Sequence, residues 1–241
     1  QMCIRDRPPI AQDQVAKSVL EKDIFEYLRI TDNTDNMYYH PWLVMLDTQR
    51  RMYPDIAEFI NKRVYKNLLK NHEDTVINNQ HIVDASPLKG EALNLIDLQG
   101  TYAAASKNAD NSRFNILSAI ISFGAGLSSE SDGVTSVGII TPYAAQMRLI
   151  RAMIKDYKAR KQTNVTCSTV HQFQGSESDV IVFDAVESYP TSKAGYLMSK
   201  NLHSVKRLIN VAITRARGKV INVGNSKSVS YTHLRAHETR H

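Results

Sequence analysis

Cysteine is nearly absent. Cys3 and Cys167 are the two in 241 residues. They give no disulfide framework and no metal-ligand spacing, and they suit a reducing cytoplasm. No apolar run approaches the ~20 residues of a membrane span. No Gly-x-x-x-x-Gly-Lys-Ser/Thr stretch occurs, and no Asp-Glu pair closes a strand, so a self-contained phosphate-cradling loop is excluded. No segment repeats. A strong charge of one sign is lacking too. The formal charge is +6, from 30 basic and 24 acidic residues. Residues 1–7 contribute +1 of this and residues 226–241 contribute +2, which leaves +3 for the rest. A mildly basic soluble domain explains that balance as well as a nucleic-acid binder does.

What is present is a core. Apolar residues make up 42% of the chain, enough for one large domain or two small ones and against global disorder. Helical spacing of Val15, Leu20, Ile24, Tyr27 and Leu28 predicts a helix, and Thr31–Tyr39 reads as a polar loop. Trp42–Leu46 reads as a short strand. Pro54 opens a helix with Ile56, Phe59, Ile60, Val64 and Leu68 on one face. Asn71–Asn79 reads as a polar connection, and His81–Asp84 and Leu93–Asp97 as strands. Residues 100–110 read as a surface loop, Ser112–Phe123 as a helix and Ser128–Gly133 as a linker. Val137–Ile140 is a buried strand, followed by a helix over Ala144–Lys158 that carries Arg148, Arg151, Lys155 and Lys158 on one stripe. Val165–Val170 and Val180–Phe183 are strands. Leu202–Arg217 reads as helical, and Val220–Val223 as a last strand. Strands alternating with helices predict an α/β fold with a mostly parallel sheet.

The turn between the paired strands concentrates polar chemistry. Ser168-Thr169-Val170-His171-Gln172-Phe173-Gln174-Gly175-Ser176-Glu177 places a glycine where backbone can approach a ligand, beside side chains that hydrogen-bond sugar or phosphate. A strand–turn–strand connection with a solvated tip explains the same residues. Two further stretches stand out, Gln49-Arg50-Arg51-Met52-Tyr53-Pro54 and Asn210-Val211-Ala212-Ile213-Thr214-Arg215-Ala216-Arg217.

In this order the three stretches resemble motifs IV, V and VI of superfamily 1 helicases, in the branch of the nonsense-mediated-decay helicase. The resemblance runs from about Pro8 to Asn225. It implies a RecA-like α/β fold of the P-loop NTPase type, with residues 46–225 as the second RecA-like lobe. Residues 8–45 would be a remnant of the first lobe, which is expected to be missing. Residues 1–7 and 226–241 match nothing in the family and are expected to be non-native tails.

The resemblance also implies roles. Phosphoryl transfer is mostly positioning and charge neutralisation, which an arginine from a second lobe can supply on closure. Arg51 and Arg215 match the family's arginines. Gln49, Arg50, Gly175 and Glu177 would face the nucleotide, Glu177 at the ribose. Arg50 stands where the family has an aromatic, usually tyrosine, and a guanidinium can stack on a base instead. His171 stands where aspartate is common. It could bond phosphate or ribose, or turn inward. Thr141, Tyr143, Ser168 and Thr169 would line a single-strand channel, with Tyr143 stacking on a base or serving as a buried aromatic. ATP and Mg²⁺ are implied as cofactors, with no metal ligand visible here. Single-stranded RNA or DNA and the first lobe are implied as partners, and a membrane is not. The chain by itself is expected not to hydrolyse ATP. The alternative is a non-catalytic nucleic-acid-binding or interaction module on the same fold.

Overall fold

The computed structural model describes residues 46–63, 65, 67–173, 175–188 and 202–226, the side chains of 202–207 excepted. The helix expected over Val15–Leu28, the Thr31–Tyr39 loop and the Trp42–Leu46 strand, Leu46 apart, lie outside these residues.

The elements run β1 (Thr48–Gln49), α1 (Pro54–Arg63), β2 (Lys70–Asn71), α2 (Asp74–Val83), β3 (Leu93–Asp97), β4 (Ser106–Lys107), β5 (Arg113–Phe114), α3 (Ile116–Ser131), β6 (Val137–Thr141), α4 (Ala144–Lys158), β7 (Val165–Thr169), β8 (Ser178–Asp184), α5 (Leu202–Ile213) and β9 (Ala216–Gly224). Five strands form one sheet in the order β3-β9-β8-β6-β7, with every pair parallel. β1 pairs with β2, and β4 with β5, in two small separate ladders.

Both faces of the sheet are covered, which is why its central strand reads as an unbroken apolar run. All seven residues of β8 are buried. Successive side chains go to opposite faces. Ile181 and Phe183 join a core with Met52, Ile56 and Ile60 of the α1 region and Val211 and Ala212 of α5. Val180 and Val182 join a second core with Ala119 and Phe123 of α3 and Ile150 and Ile154 of α4. The expected α/β arrangement, a mostly parallel sheet flanked by helices, is the one found.

Several boundaries differ from the sequence expectation. Residues 74–83 are helical, not a polar connection followed by a strand. The helix turns its polar residues inward: Thr75 and Asn79 are buried while Val76 and Ile77 are exposed. Asn79 Nδ2 donates to the Arg51 carbonyl at 3.0 Å and to the Thr75 carbonyl at 2.9 Å. Apolar periodicity misses a helix whose buried face is half an amide and a hydroxyl, with Ile82 and Val83 supplying the rest. Gly218 of β9 lets this helix close on the sheet, since a Cβ there would lie 2.4 Å from Ile82 Cβ.

The expected Ser128–Gly133 linker is mostly the last turn of α3. Ser129 Oγ donates to the Ala125 carbonyl at 3.1 Å and Ser131 Oγ to the Ser128 carbonyl at 2.7 Å, so these hydroxyls are satisfied within the helix. At its other end Asn115 caps α3 by accepting from Ser118 N at 3.1 Å, one turn later than expected, because Arg113 and Phe114 pair as β5. α1 ends at Arg63, short of the expected Leu68. Asn61 then holds Leu69 from both sides, accepting from its N at 2.9 Å and donating to its carbonyl at 2.8 Å. α5 stops at Ile213, and Ala216 and Arg217 already belong to β9. β9 is not an edge strand: it lies between β3 and β8.

Candidate functional site

The first motif-bearing stretch builds a tight turn around Gln49. This side chain is 3% exposed and makes four hydrogen bonds. Its Oε1 accepts from the amides of Arg51 (3.0 Å) and Met52 (2.8 Å). Its Nε2 donates to the Met52 carbonyl (2.8 Å) and to Asn71 Oδ1 (2.7 Å). Three of these bonds stay within the turn and the fourth ties it to β2, which spends all the bonding capacity of the amide. Gln49 therefore shapes the loop that presents Arg50 and Arg51, and it has nothing left over for a ligand.

Arg51 reaches Glu177. Its Nε lies 2.9 Å from Glu177 Oε2, and its other end donates weakly to the Thr214 carbonyl at 3.4 Å. The second oxygen of Glu177 accepts from a terminal nitrogen of Arg217, whose other terminal nitrogen is 3.4 Å from Asp179 Oδ1. Arg217, first, and then Arg51 hold the Glu177 carboxyl below its usual range. Asp179 is fixed from behind, because its Oδ2 accepts from Thr135 N (3.1 Å), Thr135 Oγ1 (2.5 Å) and Ser136 N (3.2 Å). Gly175, at φ +90°, gives the backbone the left-handed turn just before Glu177.

Arg51, Thr135, Glu177, Asp179 and Arg217 line an open cleft of about 430 Å³ together with Arg50, Asn78, Asn79, His81 and Ile82. Three guanidiniums face two carboxylates there, and this donor set fits an anionic ligand. Among the described residues no group of three or more His, Cys, Asp or Glu could hold a metal ion.

Arg215 takes a different place from the one expected beside Arg51. It sits in the turn between α5 and β9, 5% exposed, with Nε donating to the Val211 carbonyl at 3.3 Å. It does not line the cleft; Arg217, two residues on, does. Reading the stretch as one long helix hid this. Once Ala216 starts a strand, Arg217 projects from the sheet end while Arg215 stays in the turn.

The cleft lies at the amino ends of β8 and β9, whereas ligands of open α/β sheets usually sit at the carboxyl ends. Four other expected site residues are at that opposite edge. Ser168 and Thr169 end β7 and are half-buried; Thr141 ends β6 and is fully buried. Tyr143 is 8% exposed, and its hydroxyl donates to the Glu187 carboxylate, which also pairs with Arg113. The structure thus places Thr141 and Tyr143 inside, the latter as the buried aromatic rather than on an open channel wall. Arg151, from the basic stripe of α4, grips this edge instead. It donates to the Cys167 carbonyl at 2.8 Å and to Ser168 Oγ at 3.3 Å. Arg148 lies 3.4 Å from Asp110, and Lys155 and Lys158 are exposed. His171 is exposed on the turn after β7. Cys167 is buried, and burial pushes its thiol up to about 12, which leaves it inert.

The stretch from Ser168 to Glu177 therefore runs from one edge of the sheet to the other. The sequence reading also missed a buried polar cluster behind the carboxyl edge. There Asp184, at the end of β8, accepts from Gln146 Nε2 at 2.6 Å and from Val186 N at 3.0 Å.

The comparisons with known proteins agree with the motif reading. A family model described as an AAA domain matches residues 25–227. The chain belongs to this family. It is 28% identical over 207 residues to the helicase sen1 of Schizosaccharomyces pombe, covering 84% of this chain and 12% of that protein. It is 31% identical over 205 residues to an uncharacterized ATP-dependent helicase of Methanocaldococcus jannaschii, covering 78% and 27%. With the Regulator of nonsense transcripts 1 homolog of Arabidopsis thaliana it shares 27% over 217 residues, covering 81% and 16%. The helicase lobe thus corresponds to between 12% and 27% of these relatives' length. Within the family it is the C-terminal RecA-like lobe of a superfamily 1 helicase.

Proposed function

We propose that this lobe completes an ATP site shared with a first RecA-like lobe and so couples ATP hydrolysis to movement on single-stranded nucleic acid. The observation that carries this reading is the convergence of Arg51 and Arg217 on one cleft around Glu177. A guanidinium held at a lobe surface can neutralise charge on a transferred phosphoryl group only when the opposing lobe delivers the nucleotide. Arg51 is the residue of the expected catalytic pair that stands in the cleft. Arg215 would enter it only after leaving the Val211 carbonyl. Arg50, on the cleft rim, would stack on the base, and Gly175 would let the chain close on the sugar bound by Glu177. ATP supplies the phosphoryl group when bound. Mg²⁺ would arrive with it, and no described residue is assigned to the metal. At the opposite edge, Ser168, Thr169 and the α4 stripe would meet the phosphates of a single strand, RNA or DNA, without reading sequence. Thr141 and Tyr143 would support that edge from inside. The cytoplasmic setting belongs to the same reading.

The test uses the protein carrying both lobes. Arg51→Ala should lower nucleic-acid-stimulated ATPase by about a hundredfold or more while leaving the melting temperature unchanged, since the side chain is 42% exposed. Unchanged turnover would remove Arg51 from the mechanism.

A further inference from the structure

We propose that Glu177 is an internal anion that fills the arginine cleft until an oligophosphate displaces it, and that Arg217, with Arg51, is the phosphate-binding pair so released. This rests on the nucleotide-facing reading of the cleft and goes further. It gives Arg217 a ligand role and adds to the sugar contact of Glu177 a competitive role in the empty cleft.

The geometry separates the two carboxylates that face Arg217. Asp179 is anchored by three bonds to the segment before β6, and its side chain is 6% exposed. Glu177 lacks such an anchor among the described residues; each of its oxygens is held by one of the two arginines. Its side chain is 36% exposed and follows the left-handed Gly175, which itself meets nothing within 4 Å of a would-be Cβ. Glu177 is thus the carboxylate that can swing out, and Asp179 is the one that stays. A guanidinium fork accepts a carboxylate or a phosphate in the same geometry, so the two ligands compete for the same N–H donors. Exposed pairs of this kind are weak. A chain of phosphates that engages Arg51 and Arg217 together outweighs a single carboxylate.

Sodium tripolyphosphate separates this role from a sugar contact, because it carries the phosphates without ribose or base. The 241-residue chain would be titrated with tripolyphosphate and with ATP by calorimetry at fixed ionic strength, as wild type, Glu177→Gln, Arg217→Gln and Arg217→Lys. Thermal melts would verify that each variant folds. Glu177→Gln should bind tripolyphosphate about fivefold tighter, and Arg217→Gln about tenfold weaker, with Arg217→Lys between. If Glu177→Gln weakens ATP but leaves tripolyphosphate unchanged, Glu177 is a ribose contact and nothing more: the competition is overturned while the nucleotide reading stands. If Arg217→Gln leaves tripolyphosphate affinity unchanged, the arginine pair is overturned. If no variant binds tripolyphosphate, the inference falls whatever ATP does.

Discussion

The Tyr53 amide donates to the Arg217 carbonyl at 2.7 Å. This single backbone bond docks the turn after β1 onto the first residues of β9. It places the side chains of Arg51 and Arg217 on either side of Glu177, although they come from opposite ends of the lobe in sequence. The cleft is therefore assembled by the docking of two chain segments and not by any one motif.

The corner at Glu187 is predicted to depend on its charge. Glu187 is 4% exposed and pairs with Arg113, 7% exposed, while Tyr143 donates to the other oxygen. Glu187→Gln keeps the shape but leaves a buried guanidinium facing a neutral amide. Removing one partner of a buried pair typically costs about 3 kcal/mol. Urea unfolding should show that loss in midpoint with an unchanged slope. A loss below about 1 kcal/mol would mean the pair does not hold this corner.

Asp184 is predicted to give the lobe a pH dependence of unusual sign. Burial, the largest cause, raises its carboxyl from 3.8 to about 6 against the bonds from Gln146 and Ser118. Between those two values the folded state binds the proton that the unfolded state has released. This group's contribution is therefore fully present below pH 3.8 and is lost as pH rises through about 6. Asp184→Asn cannot release a proton. The difference in stability between variant and wild type should grow from pH 4 to pH 6 in the variant's favour, by about 2–3 kcal/mol, and stay flat above. The other carboxylates titrate alike in both proteins and cancel. A difference that does not change with pH would show that Asp184 titrates as an ordinary aspartate.

Asn210 is predicted to weaken the fold. It is 2% exposed, and among the described residues neither its Oδ1 nor its Nδ2 has a hydrogen-bond partner. An unmatched buried amide costs about 1–3 kcal/mol, which an apolar residue of similar size does not incur. Asn210→Leu should raise the unfolding free energy, read from the denaturant midpoint at unchanged slope, by roughly 1 kcal/mol. If ATPase in the two-lobe protein falls in the same variant, the unmatched amide is kept for the working cycle. A less stable variant would show instead that the amide is satisfied in solution.

The sheet was readable because β6 and β8 carry apolar runs, Val137–Ile140 and Val180–Phe183, and its best helix, α4, is amphipathic from Ala144 to Lys158. The local code failed where polar side chains do the packing. α2 buries Thr75 and Asn79, and α3 hides Ser118, Ser122 and Ser129. The candidate site was legible as motifs but not as an assembly. Arg51 and Glu177 were found by their neighbours in sequence. Arg217 was passed over because its role depends on where α5 stops, which the Thr214 bonds to Asn210 and the β8–β9 ladder decide. Gln49, Thr141 and Tyr143 are the right residue types for ligand contact, but only tertiary structure shows that their polar atoms are already engaged.

Gly138 ties the core to the site and gives the sharpest test of that coupling. It is the second residue of β6, where Phe173, from the turn that follows β7, packs across it. A Cβ at this position would fall 2.6 Å from Phe173 Cζ and 3.0 Å from Ile181 Cδ1. Both are buried, but Ile181 is fixed in the central strand while Phe173 sits on a turn, so the aromatic ring is the neighbour that can give way. Phe173 is two residues before Gly175 and four before Glu177, on the stretch that spans both edges of the sheet. Gly138→Ala should therefore cost about 1–3 kcal/mol through overpacking and also shift Glu177 relative to Arg51 and Arg217. Phe173→Leu in the same chain makes room and should restore most of the stability. The double variant measures the coupling directly. If Gly138→Ala destabilises the lobe but leaves tripolyphosphate affinity unchanged, the core and the cleft are mechanically independent. If both change and both recover together in the double variant, packing at β6 sets the geometry of the arginine cleft.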